Sequence, residues 1–439
     1  RLHPALLDRA RAGKRVVRLK AGDPLVFGRG GEEAEELRAA GLDYEIVPGV
    51  SSALGAAAYA GIPLTHRAVA SSVTLTTGHA GLAGAIPDGT LVLFMAGKKL
   101  AENLQRLVDG GRDAATPAAW IAAATTGRQR VIVGTVADLA ARVDAARKDA
   151  ARNDAARNDV ARNDAAGHGG RGDDDAPALV FVGEVVALRE RISWIESRPL
   201  FGRRIVVGRA RPGRSQIAAR LSALGADVVE MPDVGVAPPS SWQPLDRALV
   251  ELSAFTAVVF ASAEAVTHAV ARLAALRLDV RSLPPIPLVA VGTPAGEALR
   301  ARGLVPAVET AGACADALRA HDALCRGRLL VVGDDGGRPQ LAAELRSLGA
   351  VVEFAAAYRH TLRWLPVRGG HVDLVIAPSS SAALHLGDGP HGAALRPRPW
   401  LVMGPVSEAA AQKVGVTNIV RAEHDDVDAV VARAGELLR

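Results

Sequence analysis

Short apolar runs alternate with amphipathic segments along most of the chain, the pattern of layered α/β structure. In the first half, Arg15–Leu19, Tyr44–Val47, Thr90–Phe94, Ala118–Ala122 and Ala178–Val182 predict strands. Pro4–Arg11, Glu32–Ala40 and Leu100–Val108 predict helices, with Gly41 and Gly110 placed as C-terminal caps. The same grammar resumes near Leu200. Arg204–Val207, Asp227–Met231, Ala257–Phe260, Leu288–Val291, Arg328–Val332, Val351–Phe354, Leu374–Ile376 and Trp400–Met403 predict strands, and Arg214–Leu224 a helix closed by Gly225. The stretches RIVVGRA…LSALGADVVEMP and RLLVVGD…LRSLGAVVEFAA resemble each other, which predicts two similar parallel-sheet lobes.

One segment breaks the pattern. Asp144 to Ala166 repeats every five residues as DAARK, DAARN, DAARN, DVARN, DAA, and GHGGRGDDD follows. A period of five builds no apolar stripe on a helix, so residues 144–176 are expected to be a solvated insertion, partly helical or disordered.

Composition narrows the function classes. A chain of 439 residues corresponds to two to four compact units at roughly 100–200 residues each. Net charge is +5, which favours anionic partners. These could be nucleic acid, anionic lipid or a carboxylate-rich substrate; Lys and Arg are spread out, with no dense basic block, so no nucleic-acid partner is expected. No apolar run approaches the ~20 residues of a membrane span, and no signal-peptide core opens the chain. Cys314 and Cys325 are the two cysteines; they make neither a disulfide framework nor a zinc pair, which points to a reducing, cytoplasmic compartment and to no metal. The chain starts with Arg1 just before a helical pattern, so sequence upstream of it is expected.

Chemistry concentrates first in RLKAGDPLVFGRGGEEAEEL, Arg18 to Leu37, which reads as a strand, a Gly-rich turn and a helix. Gly22, Gly28, Gly30 and Gly31 allow close approach, which suits a ligand lying on backbone groups at strand ends and equally a tight strand-to-helix connection. No GxGxxG with an acidic residue about 20 positions on is present, which argues against a dinucleotide-binding dehydrogenase.

The Gly-rich turn is followed by YEIVPGVSSALGAAAYAGIPLTHR (Tyr44–Arg67), SSVTLTTGH (Ser71–His79), LVLFMAG (Leu91–Gly97) and PALVFVGEVVALRERISW (Pro177–Trp194). In this order the set resembles the uroporphyrinogen-III C-methyltransferases, within the wider tetrapyrrole methylase family, over residues 1–196. The resemblance implies S-adenosyl-L-methionine as cofactor. It places cofactor contacts at Ala21, Gly22, Asp23, Val26, Ser51, Ser52, Met95 and Ala124, with Ala standing for Gly at 21 and 124. The implied substrate carries eight carboxylates, for which Arg29 and Arg67 are candidate partners. His66 and His79 are open between structural and catalytic roles. The family opens with a further strand and a GxGPGD turn, followed by its proposed acid/base groups, and none of these is in this chain; methylation by this chain alone is therefore expected to be impaired. A homodimer through the methylase domain is also implied. A methylase acting on a later cobalamin precursor is the alternative within the family, and an inactive scaffold for the following domain is the alternative outside it.

From Arg198 onward, RPLFGRRIVVGRARPGRSQIAARLSALGADVVEMP, VVFASAEAV, VAVGTPAGEAL, DLVIAPSSSAAL and LVMGPVSEAAAQKVG come in the order of the uroporphyrinogen-III synthases. The resemblance covers residues 200–439 and implies a two-lobed α/β domain, one lobe from 200–236 and 361–439 and the other from 237–356. It implies cyclisation of hydroxymethylbilane without cofactor or metal, Tyr358 as the group assisting hydroxyl departure, and Ser262, Ser379 and Ser407 as substrate-binding groups. Tyr358 reads equally as a buried hinge residue. Ala295 where the family has Thr, Ser at 407, and Asp334–Asp335 in place of a more basic turn are departures.

Overall fold

The computed structural model describes residues 2–78, 88–157, 178–210, 213, 215–310, 327–336, 339–364, 371–424 and 426–439. Among these residues the chain divides into two units: Arg1–Gly208 with Arg214–Glu230 and Pro366–Arg439, and Arg209–Gly213 with Met231–Leu365.

The first unit holds two sheets. Strands β1 (Val73–Thr77), β2 (Thr90–Phe94), β3 (Pro117–Ala122), β4 (Arg130–Thr135) and β5 (Ala178–Val182) form a mixed sheet in the order β1-β2-β5-β3-β4. The three central strands read TLVLF, PAAWIA and ALVFV and are almost wholly buried, as strands covered on both faces must be. One face packs on the Ala-rich helix Ser52–Ala60 around Phe94, Ile121 and Phe181. The other packs on helices Leu100–Asp109 and Leu139–Arg157 around Leu93, Trp120 and Val180. The second sheet of this unit has its strands in β6 (Arg204–Gly208), β7 (Asp227–Met231), β14 (Leu374–Ala377), β15 (Trp400–Val402) and β16 (Ile419–Arg421), ordered β16-β15-β14-β6-β7.

The second unit is one six-stranded sheet, β11-β10-β9-β12-β13-β8, from β8 (Asp233–Ala237), β9 (Ala257–Phe260), β10 (Leu288–Val291), β11 (Val308–Thr310), β12 (Arg328–Asp334) and β13 (Val351–Arg363). All its pairings are parallel except β13 with β8. β13 runs well past the predicted Val351–Phe354 because it changes partner: its first half follows β12, and Arg359–Arg363 pair antiparallel with β8.

The predicted α/β class holds, and most predicted strands stand within a residue or two. Two do not. Arg15–Leu19 and Tyr44–Val47 are not strands. Apolar alternation makes a strand only when a ladder partner is at hand, and among the described residues neither edge of the first sheet takes them. Val17 and Leu19 are 80% and 83% exposed as a result. Conversely, Thr-rich β1 and the strand β4 were not foreseen. The pentapeptide repeat begins inside the helix Leu139–Arg157; the rest of the 144–176 insertion lies outside the described residues, as do Cys314, Cys325 and His79.

Two polar clamps fix the first unit. Arg204, buried in β6, places Nε 2.8 Å from Asp227 Oδ2, and its backbone N–H donates to Asp373 at 2.7 Å, tying β6 to its neighbours β7 and β14. Arg128, from the loop after β3, reaches the same Asp227 oxygen at 3.2 Å. Beside it the Gly202 N–H donates to the Gly127 carbonyl, and a Cβ on Gly127 would lie 2.2 Å from the Asp227 nitrogen. The loop of the first sheet is thus seated directly on the backbone of the second.

The other clamp is Asp23. Its carboxylate accepts from Leu25 N–H at 2.8 Å and from Gly49 N–H at 3.1 Å, joining segments 26 residues apart. The Gly49 bond, then the Leu25 bond, hold its pKa below the ordinary 3.8.

Removing Asp227 takes a carboxylate from the buried Arg204 guanidinium. Asp227→Ala should cost about 3 kcal/mol, the low end for breaking a buried pair, read as a lower urea midpoint. For Asp23 the lowered folded-state pKa means its contribution is complete above the unfolded value and is lost as pH falls through the lower folded value. The protection factors of the Leu25 and Gly49 amides should therefore fall in the native protein as pH drops below the ordinary carboxylate value and through the lower Asp23 pKa. In Asp23→Asn they should be low at all pH; the same acid-dependent protection in the variant would show that the carboxylate is not the clamp.

Candidate functional site

Five of the predicted cofactor residues, Ala21, Gly22, Asp23, Ser51 and Ser52, lie where two segments meet. Gly22 takes φ 75°, and a Cβ there would stand 3.5 Å from Ser52 N and Val50 O. A Cβ on Gly49 would meet Gly22 O at 2.4 Å, so the two backbones touch only because position 49 has no side chain. Segments Ala21–Asp23 and Gly49–Ser52 therefore form one cradle, with Asp23 as its clamp. Ser51 is buried and caps the helix Ser52–Ala60, its Oγ accepting from Ala53 N–H at 3.4 Å. Val26 and Ala124 pack on the apolar cluster of Ala53, Ala57 and Phe94 that floors the cradle. Met95 follows β2 directly and is 47% exposed.

Backbone strain gathers here. Among the described residues seven non-glycines have positive φ, and five of them, Phe27, Arg29, Met95, Ala123 and Thr125, lie in the loops that carry these candidates. Each costs on the order of 1–3 kcal/mol, and such residues cluster where a chain must present groups to a ligand. Their identity as non-glycines left no trace in the sequence. Also unforeseen was Lys20, whose Nζ bonds Gly28 O at 2.7 Å and Glu33 at 2.6 Å, holding the Gly-rich turn shut; the Lys20 bond lowers the Glu33 pKa. Gln129 is a third: its amide donates to Tyr59 O at 3.1 Å and its oxygen accepts from Thr125 N–H at 3.3 Å, locking the strained loop beside Ala124. A polar residue that will be buried among helix and loop backbone gives little warning in sequence.

The proposed carboxylate partners are less organised. Arg29 makes a 3.8 Å pair with Glu32, both largely exposed, and Arg67 and His66 are exposed. A cavity of about 570 Å3 opens near this loop, lined by Tyr59, Thr125, Trp194, Arg198 and Ser222, and none of the predicted site residues lines it.

The second group of candidates sits at strand ends in two units. In the six-stranded sheet, Ser262 follows β9 and caps helix Ala263–Ala275, its Oγ accepting from Ala265 N–H at 3.1 Å. The Tyr358 hydroxyl lies 3.0 Å from that same Oγ, and Tyr358 is 4% exposed. In the β14–β15 sheet, Ser379 caps helix Ser380–Asp388 through Ala382 N–H at 3.2 Å, and Ser407 is buried in helix Pro405–Lys413. Ala295 is fully buried in the core of the six-stranded unit, so this position contributes packing and no hydroxyl.

The family of tetrapyrrole (corrin/porphyrin) methylases matches residues 2–140, and uroporphyrinogen-III synthase HemD matches residues 215–432. The siroheme synthase of Azotobacter vinelandii is 45% identical over 203 residues, 44% of this chain and 38% of that protein. The porphyrin biosynthesis protein HemD of Ruminiclostridium josui is 33% identical over 309 residues, 68% of this chain and 56% of that protein. Among solved structures, the uroporphyrin-III C-methyl transferase of Thermus thermophilus complexed with S-adenyl homocysteine is 33% identical, covers 42% of this chain and 73% of that one, and has a TM-score of 0.31. The chain thus spans roughly two-fifths to just over half the length of the two curated relatives. What it carries is a tetrapyrrole methylase domain joined on one polypeptide to a uroporphyrinogen-III synthase domain.

Proposed function

We propose that residues 1–196 methylate uroporphyrinogen III to precorrin-2 and that residues 200–439 cyclise hydroxymethylbilane to uroporphyrinogen III, on the routes to sirohaem, cobalamin and haem. The observation that carries this reading is the order of the two family matches on one chain, since the second domain makes what the first consumes.

In the methylase half, S-adenosyl-L-methionine supplies, when bound, a sulfonium-activated methyl group. The cradle fits such a cofactor: Gly22 and Gly49 let its two segments close on each other, Val26 and Ala124 offer apolar contact, and Met95 is half exposed. Ser51 and Ser52 hold the entry to the helix Ser52–Ala60. Asp23 is occupied with Gly49 and Leu25, so it shapes the cradle and moves no proton. Arg29 and Arg67 take substrate carboxylates. Rate enhancement comes from holding two bound reactants in line.

In the synthase half, the hydroxymethyl C–O bond breaks, water leaves, and the resulting azafulvene is attacked at the substituted carbon of the last ring. That ring inverts through a spiro intermediate before the macrocycle closes. Ser262 and Tyr358 orient the departing hydroxyl, and Ser379 and Ser407 hold carboxylates. The enzyme's task is to fold the linear tetrapyrrole into the inverting conformer faster than it closes unaided, which is again positional catalysis.

Incubating the full chain with hydroxymethylbilane should yield the type III isomer, and calorimetry with S-adenosylhomocysteine should show saturable heat. Type I product alone would sink the synthase reading; an absence of heat would leave the methylase half as a scaffold. Tyr358→Phe should lower turnover about tenfold or more while costing only the ~1 kcal/mol of a lost hydrogen bond. Parallel losses of turnover and stability would make Tyr358 a packing residue instead.

A further inference from the structure

Residues two apart on a strand leave from the same face, so β13 presents Tyr358 and His360 together. Their rings meet edge to face, centroids 5.3 Å apart with planes at 83°. His268, from the helix capped by Ser262, stacks on the same tyrosine ring at 5.7 Å and 25°. A register shift between Gly333 and Asp334 on the adjacent strand brings Asp334 opposite Tyr358. The Asp334 carboxylate then stands with Oδ2 3.5 Å from His360 Nδ1. Its other oxygen, Oδ1, is buried with no hydrogen-bond partner among the described residues. Buried carboxylate oxygens rarely go unpaired, and one that does calls for a positive charge or a function beside it.

We propose that His360, backed by Asp334, is the proton donor that releases the hydroxyl of the linear tetrapyrrole, with Tyr358 and Ser262 fixing that hydroxyl beside it. The proposal rests on the synthase reading given above. The Asp334 carboxylate faces Nδ1, so Nε2 is the ring nitrogen left to donate. In the step, the hydroxymethyl C–O bond breaks as the pyrrole nitrogen lone pair moves in to form the azafulvenium, and the hydroxyl leaves as water with the Nε2 proton. After the new C–C bond closes the ring, the proton shed from the attacked macrocycle returns to the imidazole. No co-reactant is needed. Asp334 acts through His360 and is a positioning residue.

The test uses the full chain and hydroxymethylbilane, with type III product, kcat, KM and Tm all measured. His360→Ala should lose kcat by about 100-fold, within the usual range for general acid catalysis, with KM changed less than about threefold. Added imidazole should restore kcat at least about tenfold, which a purely structural defect would not allow. Asp334→Asn, nearly isosteric, should lower kcat about tenfold at unchanged KM and Tm. A folded His360→Ala protein that keeps its kcat, or whose loss imidazole does not relieve, overturns the assignment. If that variant does not fold, Asp334→Asn decides: unchanged kcat overturns it. A native chain that makes no type III isomer fails at the functional reading itself, an outcome distinct from an active native chain indifferent to His360.

Discussion

A parallel strand cannot return by a hairpin. The chain must leave at the strand's carboxyl end and cross over, usually through a helix, so the carboxyl edges of such sheets collect loops and helix N-termini. The β14–β15 sheet and most of the six-stranded sheet are parallel, and this fixes where their polar chemistry stands. Ser262 follows β9, Ser379 follows β14, Ser407 follows β15 and Asp334 ends β12. Met95 holds the same place after β2. The central strands β2, β3, β5, β9 and β14 are largely apolar and buried, so polar groups that could meet a ligand stand at their ends.

Within that arrangement, serine does two jobs with one oxygen. Ser262 and Ser379 each satisfy a helix N-terminal amide, the ordinary reason for serine at such a position. The cap holds the side chain in one orientation, so the remaining hydrogen-bonding capacity of Oγ points in a set direction. For Ser262 that direction is Tyr358. Fixed dipoles of this kind, in place before the substrate arrives, are what positional catalysis requires.

The architecture was largely legible because buried strands announce themselves. TLVLF, ALVFV, AVVF and LVIA admit few other readings once flanked by turn residues. Two failures have one cause. The segments at 15–19 and 44–47 have strand composition, yet a strand exists only through its partner, and composition says nothing about the partner. The site was half legible. Gly22 and the serines after strands stood out by residue type; Gly49 did not, because its role is a contact with Gly22. Asp23 was placed in the cofactor turn, but its work as a clamp on Gly49 depends on a contact across 26 residues. His360 and Asp334 lie 26 positions apart as well, and only a register shift at Gly333 brings them together. Left-handed Met95, Ala123 and Thr125 bear no local mark, because tertiary contacts impose that geometry against intrinsic preference.

The loop from Ala123 to Gln129 has two clients. One end lies at Ala124 on the floor of the cofactor cradle; the other, at Gly127 and Arg128, rests on the backbone and carboxylate of Asp227 in the neighbouring sheet. Here a single added methyl group at Gly127 would push against the peptide of the next domain. The two domains therefore share a mutational fate at this seam: a change at Gly127 that suited one is screened at the same time by the folding of the other.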